Sequence, residues 1–276
     1  MNQNWIVENL HSAFSTWNEK LAELWSLVGT SPENFKGGAV WAVMQNIHGT
    51  LLAIGYALVV LFFAMSLFKN TANFHELKRP EAALQYLIRF VAAKTAVGYG
   101  MEIMLKVFEV CNGIVGYVAD GMGGISQAMV SLPGEIQTAI ENVGFLASIP
   151  LWLVTILGSL FITVLSFVMI LTVYGRFFRL YMYTALAPIP LATFAGESTQ
   201  SVGISFLKTY VGVCLEGAVI VLACIIYAGF VSTPSVAGGE ATSVVWSYLG
   251  ETIFNMLVLV GLIKGSDRII HEMLGL

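Results

Sequence analysis

A run without a single charged residue extends from Asn142 to Gly175. A helix needs about 20 apolar residues to cross the ~30 Å hydrocarbon core of a bilayer, and this run is longer than that. It stops at Tyr174-Gly175-Arg176-Phe177-Phe178-Arg179, which reads as a basic turn at a membrane edge. An apolar segment follows and ends in Ala187-Pro188-Ile189-Pro190. Then come Gly196-Glu197-Ser198-Thr199-Gln200 and a second apolar run that carries Lys208 and Glu216. Two prolines two residues apart forbid an unbroken helix, because each removes a backbone donor and crowds the preceding turn. The stretch 144–216 therefore reads as a membrane span, a basic edge, and a broken segment, re-entrant or interfacial, that does not cross.

The rest of the chain has to accommodate that span. It is 57% hydrophobic and 11% charged, where a soluble domain is about 25% charged. One soluble core cannot use so much apolar surface, so the expected fold is an all-α polytopic membrane protein. Only 13 residues are Lys or Arg and the net charge is -4. That argues against a dedicated nucleic-acid-binding domain, which would show a basic patch. Residues 1–30 lack the basic start and compact apolar core of a signal peptide, so insertion is expected to rely on the first span. Cys111, Cys214 and Cys224 all fall in apolar runs and read as small buried hydrophobes. His11, His48, His75 and His271 have no ligand spacing, so neither a metal nor a cofactor is expected.

Residues 5–28 place Leu10, Phe14, Trp17, Leu21, Leu24 and Val28 at alternating steps of four and three. That spacing predicts an amphipathic helix with one apolar stripe. Its tryptophans, Trp5, Trp17 and Trp25, suit a membrane interface, and packing on the rest of the protein explains the stripe equally well. Residues 1–30 thus form one expected unit and 31–276 a transmembrane domain. Ser31-Pro32 reads as a helix start, with Ser31 as N-cap and Pro32 in the first turn. Five spans are expected, at about 41–68, 83–117, 145–173, 202–231 and 243–263, with a short amphipathic helix near 131–140 and an amphipathic tail after Lys264. The second span is unusual. Arg89, Lys94, Glu102, Lys106 and Glu109 interrupt it, and each charge at the centre of a lipid-bathed helix costs at least ~2.5–3.5 kcal/mol. Snorkelling accounts for most of them. Lys94 and Glu102 are the hardest to explain that way, and Glu102 and Lys106 have the i, i+4 spacing of a pair. Lys94, Glu102, Lys106, Lys208 and Glu216 are accordingly the candidates for an assembly surface or a lumen.

Lysine and arginine set the expected topology. The 69–79 loop, the 176–179 turn and the 264–268 tail are basic, while 118–142 and 232–242 hold neither residue type. With the basic segments in the cytoplasm, the N-terminus lies outside and the C-terminus inside, provided that 180–200 returns to the cytoplasmic side. Arg176 and Arg179 would then sit at headgroup depth. They anchor the topology, and their forked donors also suit an anionic phospholipid or a partner protein.

The sequence has no phosphate-cradling loop, metal-binding helix or nucleophile elbow. Glu102, Glu216 and Glu251 are carboxylates within apolar runs, with no His or Ser placed to complete a site, so an enzyme is not expected. The glycine pair Gly261 and Gly265 lies at a span end and is a weak dimerisation signal.

The segment Gly175-Arg176-Phe177-Phe178-Arg179-Leu180-Tyr181-Met182-Tyr183, with Ala187-Pro188-Ile189-Pro190-Leu191 and Gly196-Glu197-Ser198-Thr199, resembles the TrbL-like family of VirB-type conjugative type IV secretion systems, and within it the members from integrative elements of Gram-positive bacteria. The N-terminal helix and the five-span plan are similar as well. The resemblance implies a channel or scaffold subunit of a DNA-transfer machine in the bacterial cytoplasmic membrane. It implies a homo-oligomer, with a ring around the translocation path as one form, that works with ATPases, a coupling protein and a pilin-like or stalk-like subunit and has at most a transient contact with passing DNA. The large extra-membrane domains of some relatives are not expected here, so partner contacts made by such domains are not carried over. Two other readings stand beside it. One is a stand-alone small-solute or ion transporter, which would favour paired broken helices in two halves, whereas only one broken segment is present. A weaker one is a holin-like pore.

Overall fold

The computed structural model describes residues 4–71, 80–120, 129–143, 145–231 and 241–276. His75, Lys78 and Arg79 of the basic loop, and Ser232-Thr233-Pro234 and Glu240 of the later loop, lie outside the described residues. The described residues form helices α1 (Asn4–Val28), α2 (Ala39–Thr71), α3 (Pro80–Gly98), α4 (Gly100–Asp120), α5 (Gly134–Glu141), α6 (Phe145–Leu186), α7 (Pro188–Ala192), α8 (Gln200–Val231) and α9 (Ala241–Leu274), with no strand among them. Four helical stretches are long and apolar enough to cross a membrane: Phe35–Lys69, Ile149–Leu186, Gln200–Gly229 and Ser243–Leu274.

Several boundaries differ from the sequence reading, each for a local reason. The expected turn at 176–179 is helical, and α6 continues to Leu186. A helix stops at arginines when they must reach water; here both guanidinium groups find partners on other helices of the same compact unit. Ser31-Pro32 does not start a helix. The Ser31 carbonyl accepts the amides of Asn34 at 3.0 Å and Phe35 at 3.2 Å. Lys36, Gly37 and Gly38 then adopt φ of 50°, 73° and 77°, left-handed values that a right-handed helix cannot include. The helix begins only at Ala39. The expected second span, 83–117, is α3 and α4 with an irregular residue at Tyr99. Helical bonds still bridge that point, from the Tyr99 amide to Thr95 and from the Ile103 amide to Tyr99, both 2.9 Å. The charges on α3 and α4 keep this stretch out of the group of apolar spans. The expected tail after Lys264 is an unbroken continuation of α9.

The chain divides into two compact units. The first comprises Met1–Gly29, Val115–Gly175 and Gly217–Ser266. All six stripe residues of α1 are buried there. At ~1.5–3 kcal/mol for each buried side chain, the stripe contributes on the order of 10 kcal/mol as an upper estimate. Trp17 packs against Tyr227 with ring centroids 6.1 Å apart, and Trp5 stacks on Trp152 at 5.9 Å. Asn18 donates to the Val130 carbonyl and accepts the Val130 amide, at 2.8 and 2.9 Å. Tyr174 of α6 donates to one oxygen of Glu23 at 2.6 Å. The other oxygen takes Lys20 at 2.8 Å, and this bond holds the Lys20 ammonium above its usual pKa. Helix α5 adds Ile136 and Ile140 to the core.

The second unit comprises Thr30–Ile114, Arg176–Glu216 and Asp267–Leu276. Phe35 stacks on Phe177 at 4.0 Å, and the Tyr181 hydroxyl donates to the Pro32 carbonyl at 2.9 Å. The turn before α2 is thereby held against α6. Helix α7 and the tight turn Thr193–Ala195 pack on α2 and α3. Gly55 makes the approach possible: a Cβ there would lie 2.9 Å from both Pro188 Cβ and Val97 Cγ1.

Candidate functional site

Arg176 and Arg179 are one helical turn apart, so they leave α6 on one face. Val213, Cys214 and Glu216 share a turn of α8 in the same unit. Arg176 is 1% exposed. Its Nε donates to the Val213 carbonyl at 3.1 Å and its Nη2 to the Cys214 carbonyl at 2.9 Å. The guanidinium carbon sits 5.8 Å from the centre of the Phe108 ring, within cation–π range. A planar fork serves two successive carbonyls and an aromatic face in one fixed geometry, where an ammonium offers a point charge on a flexible stem.

Arg179 carries the second layer. Its Nη2 donates to both oxygens of Glu216, at 2.6 and 2.7 Å, and its Nη1 to Asp267 Oδ1 of α9 at 2.6 Å. His271, one turn on, lies 3.4 Å from the same Asp267 oxygen. Glu216 is 2% exposed, while the Asp267 side chain is 45% exposed. Two arginines and two carboxylates therefore balance, and they tie α6, α8 and α9 together. A buried charge is tolerated only when its donors or acceptors are satisfied: Glu216 is paired with Arg179, and Arg176 is hydrogen-bonded to two backbone carbonyls.

The proline segment is the other face of the site. Pro188, Leu191, Ala192 and Thr193 are buried, whereas Pro190 is only half-buried. The break is shallow. Ala187 keeps right-handed helical angles, and the Leu191 amide bonds the Ala187 carbonyl at 3.0 Å. What the prolines remove is the donors at 188 and 190, so the chain bends through α7 without unwinding. Buried His48 places Nδ1 2.9 Å from the Thr184 carbonyl, just before this bend. Thr199 closes the following turn by donating to the Thr193 carbonyl at 2.8 Å, and Arg89 of α3 reaches Glu197 at 3.3 Å.

The remaining candidates do not join this cluster. Lys94, Glu102, Lys106 and Lys208 are exposed. Lys106 bonds Glu109 at 2.7 Å, one turn away, in place of the expected pairing with Glu102. Arg176 is turned inward onto α8 carbonyls, so its fork faces no headgroup. Sequence reasoning missed Asp267, which it left in an amphipathic tail, and missed Phe108 and the α8 carbonyls. No local signal joins residues 37 or 88 positions apart along the chain. Among the described residues no group of three or more His, Cys, Asp or Glu could hold a metal ion.

An all-α architecture with four membrane-length apolar helices defines a polytopic integral membrane protein. Residues 17–188 match the family described as TrbL/VirB6 plasmid conjugal transfer like protein. The match covers more than half of the chain, and the chain belongs to this family. No curated protein and no solved structure matches it.

Proposed function

We propose that the chain is a channel or scaffold subunit of a conjugative type IV secretion system, seated in the bacterial cytoplasmic membrane and supporting transfer of relaxase-bound DNA. Membership of the conjugal transfer family over residues 17–188 carries this reading. The cluster is consistent with a scaffold, because its arginine donors are occupied by the chain's own carbonyls and carboxylates. The exposed charges Lys94, Glu102 and Lys106 on α3 and α4 favour a homo-oligomer. A helix face with such charges is expected against a second copy, another secretion subunit or a water-filled path, and not against acyl chains. ATPases, a coupling protein and a pilin-like or stalk-like subunit are the expected partners, with the N-terminus outside and the C-terminus cytoplasmic. The test is removal of the chain from a donor cell. DNA transfer is expected to fail while relaxase nicking at the transfer origin persists, and the wild-type chain supplied in trans is expected to restore transfer. Normal transfer without the chain overturns the proposal. Loss of nicking as well would move the role from the channel to DNA processing.

A further inference from the structure

Within the first compact unit, α6 and α9 leave a groove of about 370 Å³ between them. Its walls run from Val154 to Phe161 and from Trp246 to Leu257, and its lining side chains are aliphatic or aromatic apart from the indole N–H of Trp246. Two of its lining residues are glycines, Gly158 and Gly250. A Cβ at Gly158 would rest 3.6 Å from Ile253 Cδ1 and 3.7 Å from Leu249 Cδ1, while one at Gly250 would meet nothing within 4 Å. A glycine inside a helix is about 1 kcal/mol less favourable than alanine. At these two positions it keeps a channel open along the helix pair.

We propose that this groove binds one acyl chain of a phospholipid. Both walls belong to membrane-length apolar helices, so the groove opens on hydrocarbon. From Trp246 to Leu257 the helix advances about 16 Å at 1.5 Å per residue, close to half of the ~30 Å hydrocarbon core and therefore to one leaflet. Gly158 meets Leu249 and Ile253, so the N-terminal parts of α6 and α9 lie side by side. At that end Trp246 is 61% exposed. Exposed indoles collect at headgroup depth, where one edge is apolar and one wet, which sets the headgroup end of the chain beside Trp246. Size disfavours a protein occupant. Ten residues line the groove, fewer than the about 20–30 a side of a stable protein interface, so a partner protein would have to cover neighbouring surface as well. The inference rests on the membrane class of the protein and not on its role in transfer, so the two fail separately.

The full chain would be reconstituted in phosphatidylcholine–phosphatidylglycerol vesicles with trace phosphatidylcholine carrying a photoreactive diazirine on one acyl chain. Cross-linked peptides would be mapped after illumination. Labelling is expected to concentrate on Val154–Phe161 and Trp246–Leu257, above that of the exposed apolar face of α2 at Val43 and Val60. Gly250→Leu adds a side chain at a lining position where a Cβ meets nothing within 4 Å. With the space filled, labelling there should fall to the level of α2, and labelling of α2 should be unchanged. The milder Gly158→Ala/Gly250→Ala pair, which favours helix, should give a smaller drop in the same place and serves if the leucine variant misfolds. Even labelling of all apolar helices, or groove labelling unchanged in the filled variants, overturns the proposal. So does a disulfide-linked dimer from Gly250→Cys in a background without the native cysteines, since a second copy would then occupy the groove.

Discussion

Replacing Arg179 with Met should be among the most damaging single changes in the protein, and its partners explain why. Glu216 is 2% exposed, and both its oxygens face Arg179 Nη2 at 2.6 and 2.7 Å. Removing one member of a buried pair leaves an uncompensated charge and costs about 3–5 kcal/mol. Asp267, the other partner, is 45% exposed; an exposed pair contributes only ~0–1 kcal/mol. The penalty should therefore come from Glu216 alone. Arg179→Met is expected to lower unfolding free energy by about 3–5 kcal/mol, Asp267→Asn by no more than ~1 kcal/mol, and Arg179→Met/Glu216→Leu should recover most of the loss because apolar replacement of both partners removes the stranded charge. Chemical denaturation in mild detergent micelles, followed by tryptophan fluorescence, would read all three. An Arg179→Met variant within ~1 kcal/mol of wild type, or a double variant no better than the single, would refute the reasoning.

Gly38 has φ of 77° and an added Cβ would lie 2.9 Å from the Glu33 carbonyl oxygen, so Gly38→Ala should cost more than the ~1–2 kcal/mol of a left-handed residue; Lys36→Gly, at φ 50°, should instead be neutral or raise the melting temperature. Gly55→Val should separate α2 from α7, because its Cβ would strike Pro188 and Val97 at 2.9 Å; lost thermal stability with unchanged membrane insertion is the expected result. Pro188→Ala/Pro190→Ala should insert normally but lower DNA transfer; normal transfer at normal protein levels would reduce the prolines to helix punctuation. Cysteines at Lys78 and Ser235, in a background without the native cysteines, should react with a membrane-impermeant maleimide from opposite sides; reaction from one side would sink the proposed topology.

What could be read from sequence was what a single helix encodes. The α1 stripe from Leu10 to Val28 is a 3.6-residue pattern, and every member is buried. The apolar runs of α2, α6, α8 and α9 announced themselves by length and lack of charge. What depends on distant residues stayed hidden. Arg176 and Arg179 looked like a membrane edge because arginine in an apolar setting usually seeks water, and only α8 and α9 reveal their internal partners. Ser31-Pro32 carried the signature of a helix start, but the left-handed Lys36-Gly37-Gly38 turn overrode it. The proline pair did predict an interruption, and the packing of α7 limited it to a bend. Lys106 had two acidic residues within one turn, at 102 and 109, and spacing alone does not choose between them.

The clasp between α1 and its partners has a consequence for biogenesis. Trp17 packs on Tyr227, and Glu23 waits for Tyr174. Tyr227 follows Trp17 by 210 residues, which at ~5–20 residues per second is about 10–40 s of synthesis. Val130, α5, Trp152 and Tyr174 emerge earlier, but until Tyr227 follows them the surface that buries Trp17 is incomplete. A bilayer interface receives a helix with an apolar stripe at once. The N-terminal helix would thus rest on lipid first and exchange lipid for protein once the later helices have inserted.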